Sequence, residues 1–239
     1  MLSIRVDAHL AFFLFFGTIA SYNFIKYGLE AEKYILVANR YHKNIQLFSF
    51  GALVFACYNA YYFIWDTWIA LVVLALLTGL YALPVLPNAK NMRSLSGLKI
   101  FPVALVWAGA TVILPVVQIA NDISWDVKME ALQRFLMVLV LILPFEIRDL
   151  RYDAIELRTV PQRFGINKTK LIGVVLTLVI FFATFFKDKI GPIEVGFKTF
   201  VCATLILALL LSDKKRSKYY ATFWVELLPV VWLATTGIF

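Results

Sequence analysis

Eight apolar runs, each near the roughly 20 residues that a helix needs to cross a bilayer, constrain this 239-residue chain more than any other feature. They lie at about 8–26, 45–63, 68–86, 100–120, 131–147, 170–187, 196–213 and 221–238. None has the alternation over roughly ten residues that marks a barrel strand. The predicted fold class is therefore an all-α integral membrane protein of about eight transmembrane helices, in one domain spanning 1–239. The shortest connection, IWDTW at 64–68, predicts an antiparallel hairpin of the second and third spans.

Composition decides what the formal charge of +8 means. Hydrophobic residues make up 62% and charged residues 16% of the chain, against about 45–50% apolar content in soluble domains, and the mean hydropathy is +0.80. In a soluble chain such a charge would raise nucleic acid as a partner. Here the tendency of cytoplasmic loops to collect Lys and Arg accounts for it, and no nucleic-acid partner is inferred. No short apolar stretch with a small-residue cleavage site precedes the first span, so no removable signal peptide is expected. Cys57 and Cys202 fall inside apolar runs as small hydrophobes, with no disulfide framework.

Orientation follows from the basic residues. The loops after the first, third, fifth and seventh spans carry 17 of the 23 Lys and Arg, and the other side carries 6. That bias turns the odd loops to the cytoplasm and both termini outward. The DKKRSK run at 213–218 is an ordinary basic loop that also favours anionic membrane lipid.

The segment 144–170, PFEIRDLRYDAIELRTVPQRFGINKTK, is therefore cytoplasmic. On a helix its carboxylates Glu146, Asp149 and Asp153 share one face, interleaved with Arg148, Arg151 and Arg158. Carboxylates four apart can hold a hard cation such as Mg²⁺, and arginines beside them suit the oxygens of a phosphate ester. A solvated loop whose acids and arginines only pair with one another is the plainer account. Two more polar residues fall at the same depth, Asn23 near the cytoplasmic end of the first span and Glu226 in the last. Ionisable groups at such depth are candidates for function, although an interhelical hydrogen bond would equally explain Asn23, and burial as a neutral acid or snorkelling would explain Glu226. His9 and His42 have no partner at metal-ligand spacing, and Asn59 reads as a packing polar group.

RDLRYDAIELRTVPQRFG, with Asp149 and Asp153 as DxxxD followed by Arg158, Thr159, Pro161 and Gly165, resembles the second aspartate motif of the UbiA-type membrane prenyltransferase superfamily. LKIFPVALVWAGATVILP at 98–115 resembles that family's lysine-then-tryptophan helix, and FFGTIASYNFIKYG the helix bearing its first motif. The resemblance implies a ring of nine helices around a central cavity. Because the second motif here follows the fifth span, whereas in the family it follows helix six, the first helix of the family is expected to be missing. It also implies two Mg²⁺ ions that bind the diphosphate of an isoprenoid donor, whose allylic cation then alkylates a lipophilic, usually aromatic, acceptor. On that pattern Asp149 and Asp153 are the catalytic metal ligands, with Asn23 from the first motif. Arg93, Lys99, Arg148, Arg151 and Arg158, again with Asn23, are candidates for holding the prenyl diphosphate. A bacterial inner membrane is the expected location.

The first motif departs from the pattern. Asn23 is followed by Lys26, Tyr27 and Ala31, so the expected aspartate is missing. Glu30, on the face of Asn23 and Tyr27, stands in as the metal ligand, Glu32 is close by, or Lys26 replaces a metal's charge with its own. The second motif is one residue short between Asp153 and Thr159, with Glu156 and Leu157 around the usual glycine. The reading is a divergent UbiA-like prenyl transferase. The alternative is a non-catalytic relative that binds a polyprenyl lipid or a partner protein. A transporter is disfavoured because the ionisable residues gather at one face. Acceptor, prenyl length and oligomeric state depend on cavity shape, and no motif specifies them.

Overall fold

The computed structural model describes residues 7–24, 26, 40–82, 99–119, 122–153, 157–214 and 220–230. Among them no strand occurs, and helix stands on each of the eight apolar runs. The helices are α1 (Ala8–Asn23), α2 (Arg40–Ala60), α3 (Trp65–Ala82), α4 (Ile100–Ala108), α5 (Leu114–Ile119), α6 (Trp125–Asp149), α7 (Val160–Ala183) and α8 (Pro192–Leu210), with a π-helical turn at Tyr220–Val225 opening the last segment. A π turn at Gly109–Ile113 joins α4 to α5 in one continuous helix. Three helices, Ile100–Ile119, Val160–Phe186 and Pro192–Leu210, are long and apolar enough to cross a membrane, and only 33–39% of their most apolar stretches is buried inside the protein. Large aromatics such as Phe15, Tyr61 and Trp65 also lie exposed. Apolar surface on that scale needs a covering, which a bilayer supplies.

The helices begin where the chemistry of their first turns dictates. Asp7 caps α1 by accepting a bond from the Leu10 amide at 2.9 Å. Thr159 opens α7, with the Gln162 Oε1 three residues on accepting from the Thr159 amide at 2.9 Å and Pro161 in the first turn. Pro192 starts α8 after Gly191. The Thr159 cap starts α7 ahead of the predicted span of 170–187, and α6 likewise outruns 131–147 at both ends, so polar residues of the connecting segments are drawn into helix.

The residues gather into two compact units, one formed by Ser3–Ala75 with Ile113–Ile123 and the other by Leu76–Val112 with Ser124–Phe239. In the first, α1 packs along α2 through Phe16 stacked on Phe55 and His9 stacked on Tyr62, and His9 Nδ1 lies 3.1 Å from Asn59 Oδ1. His9 and Asn59 are thus packing polar groups. The predicted hairpin needs correction: among the described residues, α2 makes its extensive packing with α1 and not with the part of α3 in the same unit. The short turn is held instead by Gln118, whose Oε1 accepts from Thr67 Oγ1 at 2.8 Å and from the Ile64 amide at 3.4 Å.

In the second unit α6 is central, packed by α4, α7 and α8. Met137, Val140, Ile180, Val201, Cys202 and Leu205 form one core, and Leu143, Ile147 and Leu209 another nearer the end of α6. Gly173 of α7 makes the second core possible, since a Cβ there would press into Leu209 and lie 3.0 Å from Leu143 Cδ1. Gly173→Val is expected to cost about 1–3 kcal/mol by overpacking, seen as a lowered unfolding midpoint in mixed micelles. Gly196→Ala on α8 meets open space and should leave that midpoint unchanged or raise it.

Candidate functional site

The end of α6 and the starts of α4 and α7 meet in the second unit. Ile100 and Ala104 of α4 pack on Val138 and Leu139 of α6, which carries Lys99, at the head of α4, over Glu146. The α6 helix ends at Asp149, yet the amides of Tyr152 and Asp153 both donate to the Asp149 carbonyl, at 2.8 and 2.9 Å. One further turn therefore brings Asp153 round beside Asp149, close to the helical register that the spacing predicts. Gln162 Nε2 ties this turn to α7 by donating to the Asp153 carbonyl at 3.2 Å. Arg158 then takes a positive φ of 41°, a conformation costly for a residue with a Cβ, immediately before the Thr159 cap.

Glu146 is 4% exposed. Its Oε2 accepts from the Val160 amide at 3.2 Å, at the positive end of α7. Its Oε1 has no hydrogen-bond partner among the described residues and stands 3.6 Å from Lys99 Nζ, which is also 3.7 Å from Asp153 Oδ2. One ammonium thus lies between two carboxylates from different elements. Asp149 is held separately by Arg148, with Nε to Oδ1 at 2.6 Å and Nη2 to Oδ2 at 2.8 Å, and the guanidinium lies 5.2 Å from the Phe145 ring centre. The bond to Asp149 raises the Arg148 pKa above its ordinary value against the effect of burial, and the charges of Asp149, Glu226 and Asp153 add to the rise.

Glu146, Asp149, Asp153 and Lys99 line one open cavity of about 600 Å³, whose remaining walls are Tyr81, Ile100, Val103, Ile142, Phe145 and Leu157. That volume falls in the range of about 300–1,000 Å³ typical of small-molecule sites. Acidic and cationic groups share it with an apolar and aromatic wall. Among the described residues no three acidic, His or Cys groups stand together as a ready metal cage. Mg²⁺ seldom uses such a cage, being bound by one or two carboxylates together with the phosphates of its substrate. Asp149 and Asp153 on one cavity, with a buried Glu146 oxygen lacking a hydrogen bond, fit that requirement.

The other predicted site residues fall elsewhere. Arg151 and Arg158 are exposed and are not among the cavity-lining residues, and Arg148 is engaged with its neighbour Asp149. Asn23 belongs to the other unit, where its Nδ2 donates to Ser49 Oγ at 2.8 Å. This is the interhelical bond that the sequence offered as its alternative role. Glu30 and Arg93 lie outside the described residues.

A second polar cluster, which the sequence reading passed over, sits toward the opposite end of α6. Lys187 Nζ donates to Glu130 Oε2 at 2.7 Å and to Glu194 Oε1 at 2.5 Å, while Lys198 Nζ donates to Glu130 Oε1 and Gln133 Oε1, both at 2.8 Å. Gln133 Nε2 completes it by donating to the Ile180 carbonyl and Thr184 Oγ1, both at 2.9 Å. All five of the charged and amide residues are buried. The spacing Glu130–Gln133 on α6 and Glu194–Lys198 on α8 was the available signal.

Fold and site together define a helical protein with membrane-capable helices and an acidic, lysine-bearing cavity. Comparison with known protein families, with curated proteins and with solved structures finds no match.

Proposed function

We propose that this chain is a divergent UbiA-like membrane protein that binds a prenyl diphosphate in the cavity of the second unit and transfers its isoprenoid group to a lipophilic, aromatic acceptor with Mg²⁺ assistance. The eight apolar runs are read as spans, with the cavity facing the cytoplasm. The observation that carries this reading is the convergence of Lys99, Glu146, Asp149 and Asp153 on one cavity with apolar walls. A prenyl diphosphate has the same two-part character, a charged head on a hydrocarbon chain. Asp149 and Asp153 would hold Mg²⁺, whose charge offsets that developing on the departing diphosphate. Lys99 contributes an ammonium for the diphosphate oxygens. Phe145 and Tyr81 supply aromatic lining beside the allylic cation that would be left when the carbon–oxygen pair departs with the diphosphate. Capture of that cation by the acceptor ring, followed by loss of a ring proton, completes the transfer.

The test is release of inorganic diphosphate by purified protein given prenyl diphosphates of several lengths, with an aromatic acceptor and with or without Mg²⁺. Mg²⁺-dependent release is expected, and its absence for every donor would defeat the enzymatic reading. A second reading, binding of a polyprenyl lipid without turnover, draws on the pairing of the carboxylates with Lys99 and Arg148. It predicts lipid retention indifferent to Mg²⁺.

A further inference from the structure

We propose that Lys99 is a tethered cation that competes with a divalent metal for the carboxylates of the cavity. It rests on the reading above in taking Mg²⁺ as the physiological metal and a diphosphate as the anion that the metal brings. The ammonium lies nearly midway between Glu146 Oε1 and Asp153 Oδ2, at 3.6 and 3.7 Å. Both separations exceed those of a charge-assisted hydrogen bond, about 2.7–2.9 Å, so Lys99 offsets part of the two charges without saturating either oxygen. Glu146 lines the cavity, and its Oε1 is buried with no hydrogen bond among the described residues.

Lys99 and Arg148 set two positive charges against the three carboxylates Glu146, Asp149 and Asp153, which leaves this part of the cavity negative. A diphosphate entering alone would meet that negative charge. A divalent cation arriving with it takes Asp153 from Lys99, and the released ammonium becomes available to the anion the metal brings. The same lysine thus offsets part of the charge of the resting cavity and then helps bind the charged head. Its flexible four-carbon stem suits that exchange better than a guanidinium fork would.

Mn²⁺, which has a paramagnetic signal when free, is the probe, and no prenyl substrate is needed. Removing a unit positive charge from beside the metal oxygens should tighten Mn²⁺ binding about tenfold or more in Lys99→Gln. Asp153→Asn in the same background should cancel that gain. Because Lys99→Gln leaves Glu146 buried without its counter-ion, a wild-type measurement stands beside it. Labelling of Lys99 by an amine-reactive acyl reagent, read by peptide mass spectrometry, should rise as Mg²⁺ is added. Mn²⁺ affinity unchanged or weaker in folded Lys99→Gln, or Lys99 labelling flat or falling with Mg²⁺, overturns the proposal. If the variant does not fold, the labelling decides alone. A protein that binds Mn²⁺ as expected but releases no diphosphate keeps this inference and loses the transferase reading.

Discussion

Asp149→Asn and Asp153→Asn are each expected to drop Mg²⁺-dependent diphosphate release by about a hundredfold or more, the scale of losing one preorganised group that stabilises developing charge. Either substitution removes a carboxylate charge at a cavity where the metal has few protein ligands to spare. The two differ in what they leave behind. Asn at 149 keeps one oxygen that can accept from the Arg148 guanidinium and turns the other position into an amide donor, so a charged pair of bonds is reduced to a single neutral-acceptor bond. Asn at 153 leaves Lys99 paired with Glu146 among the described residues. Folding should survive both changes, since the side chains of Asp149 and Asp153 are 36% and 21% exposed and pairs of that kind contribute about 1 kcal/mol or less. Unfolding midpoints close to wild type, with release lost, are the expected result. Wild-type release in both variants would remove the metal role from these residues even with the fold intact.

Much of this arrangement was legible in the sequence because it depends on local spacing. Helices stand on all eight apolar runs since burying backbone amides in an apolar setting requires them to be paired within the segment. Asp149 and Asp153 share one cavity because a spacing of four brings side chains together even across the turn that ends α6. Lys99 reaches Glu146 and Asp153 from a distant part of the chain through the packing of α4 on α6, which only the resemblance suggested. What spacing could not choose was partners. Arg148 bonds the adjacent Asp149 where a helical face would pair residues three or four apart. Glu194 and Lys198 stand four apart on α8, yet Glu194 bonds Lys187 and Lys198 bonds Glu130 of α6. Asn23 had two roles open to it, and the hydroxyl of Ser49, 26 residues on, supplies the interhelical one. Each of these choices is made by tertiary packing, which brings the competing partner into reach.

Lys198→Met is expected to be the most destabilising of the substitutions considered, by about 3 kcal/mol, because it takes one of two ammonium partners from a buried carboxylate. Lys198 is 4% exposed and gives Glu130 one of its two ammonium partners and Gln133 the donor to its Oε1. Methionine matches the length of the stem and restores the packing, so the loss reports the charge. Pairing it with Glu130→Gln should recover a large part of the deficit, since the double variant buries no net charge at that position, leaving Lys187 to Glu194. Thermal or denaturant unfolding of the four proteins in mixed micelles closes the cycle, and simple addition of the two single effects would show that the pair is not coupled. The cluster joins α6, α8 and the chain just after α7, away from the cavity at the other end of α6. Diphosphate release per folded molecule should therefore stay within about twofold of wild type in Lys198→Met, as expected for distant, uncoupled sites. The Asp149 and Asp153 variants should behave in the opposite way, keeping the fold and losing the release.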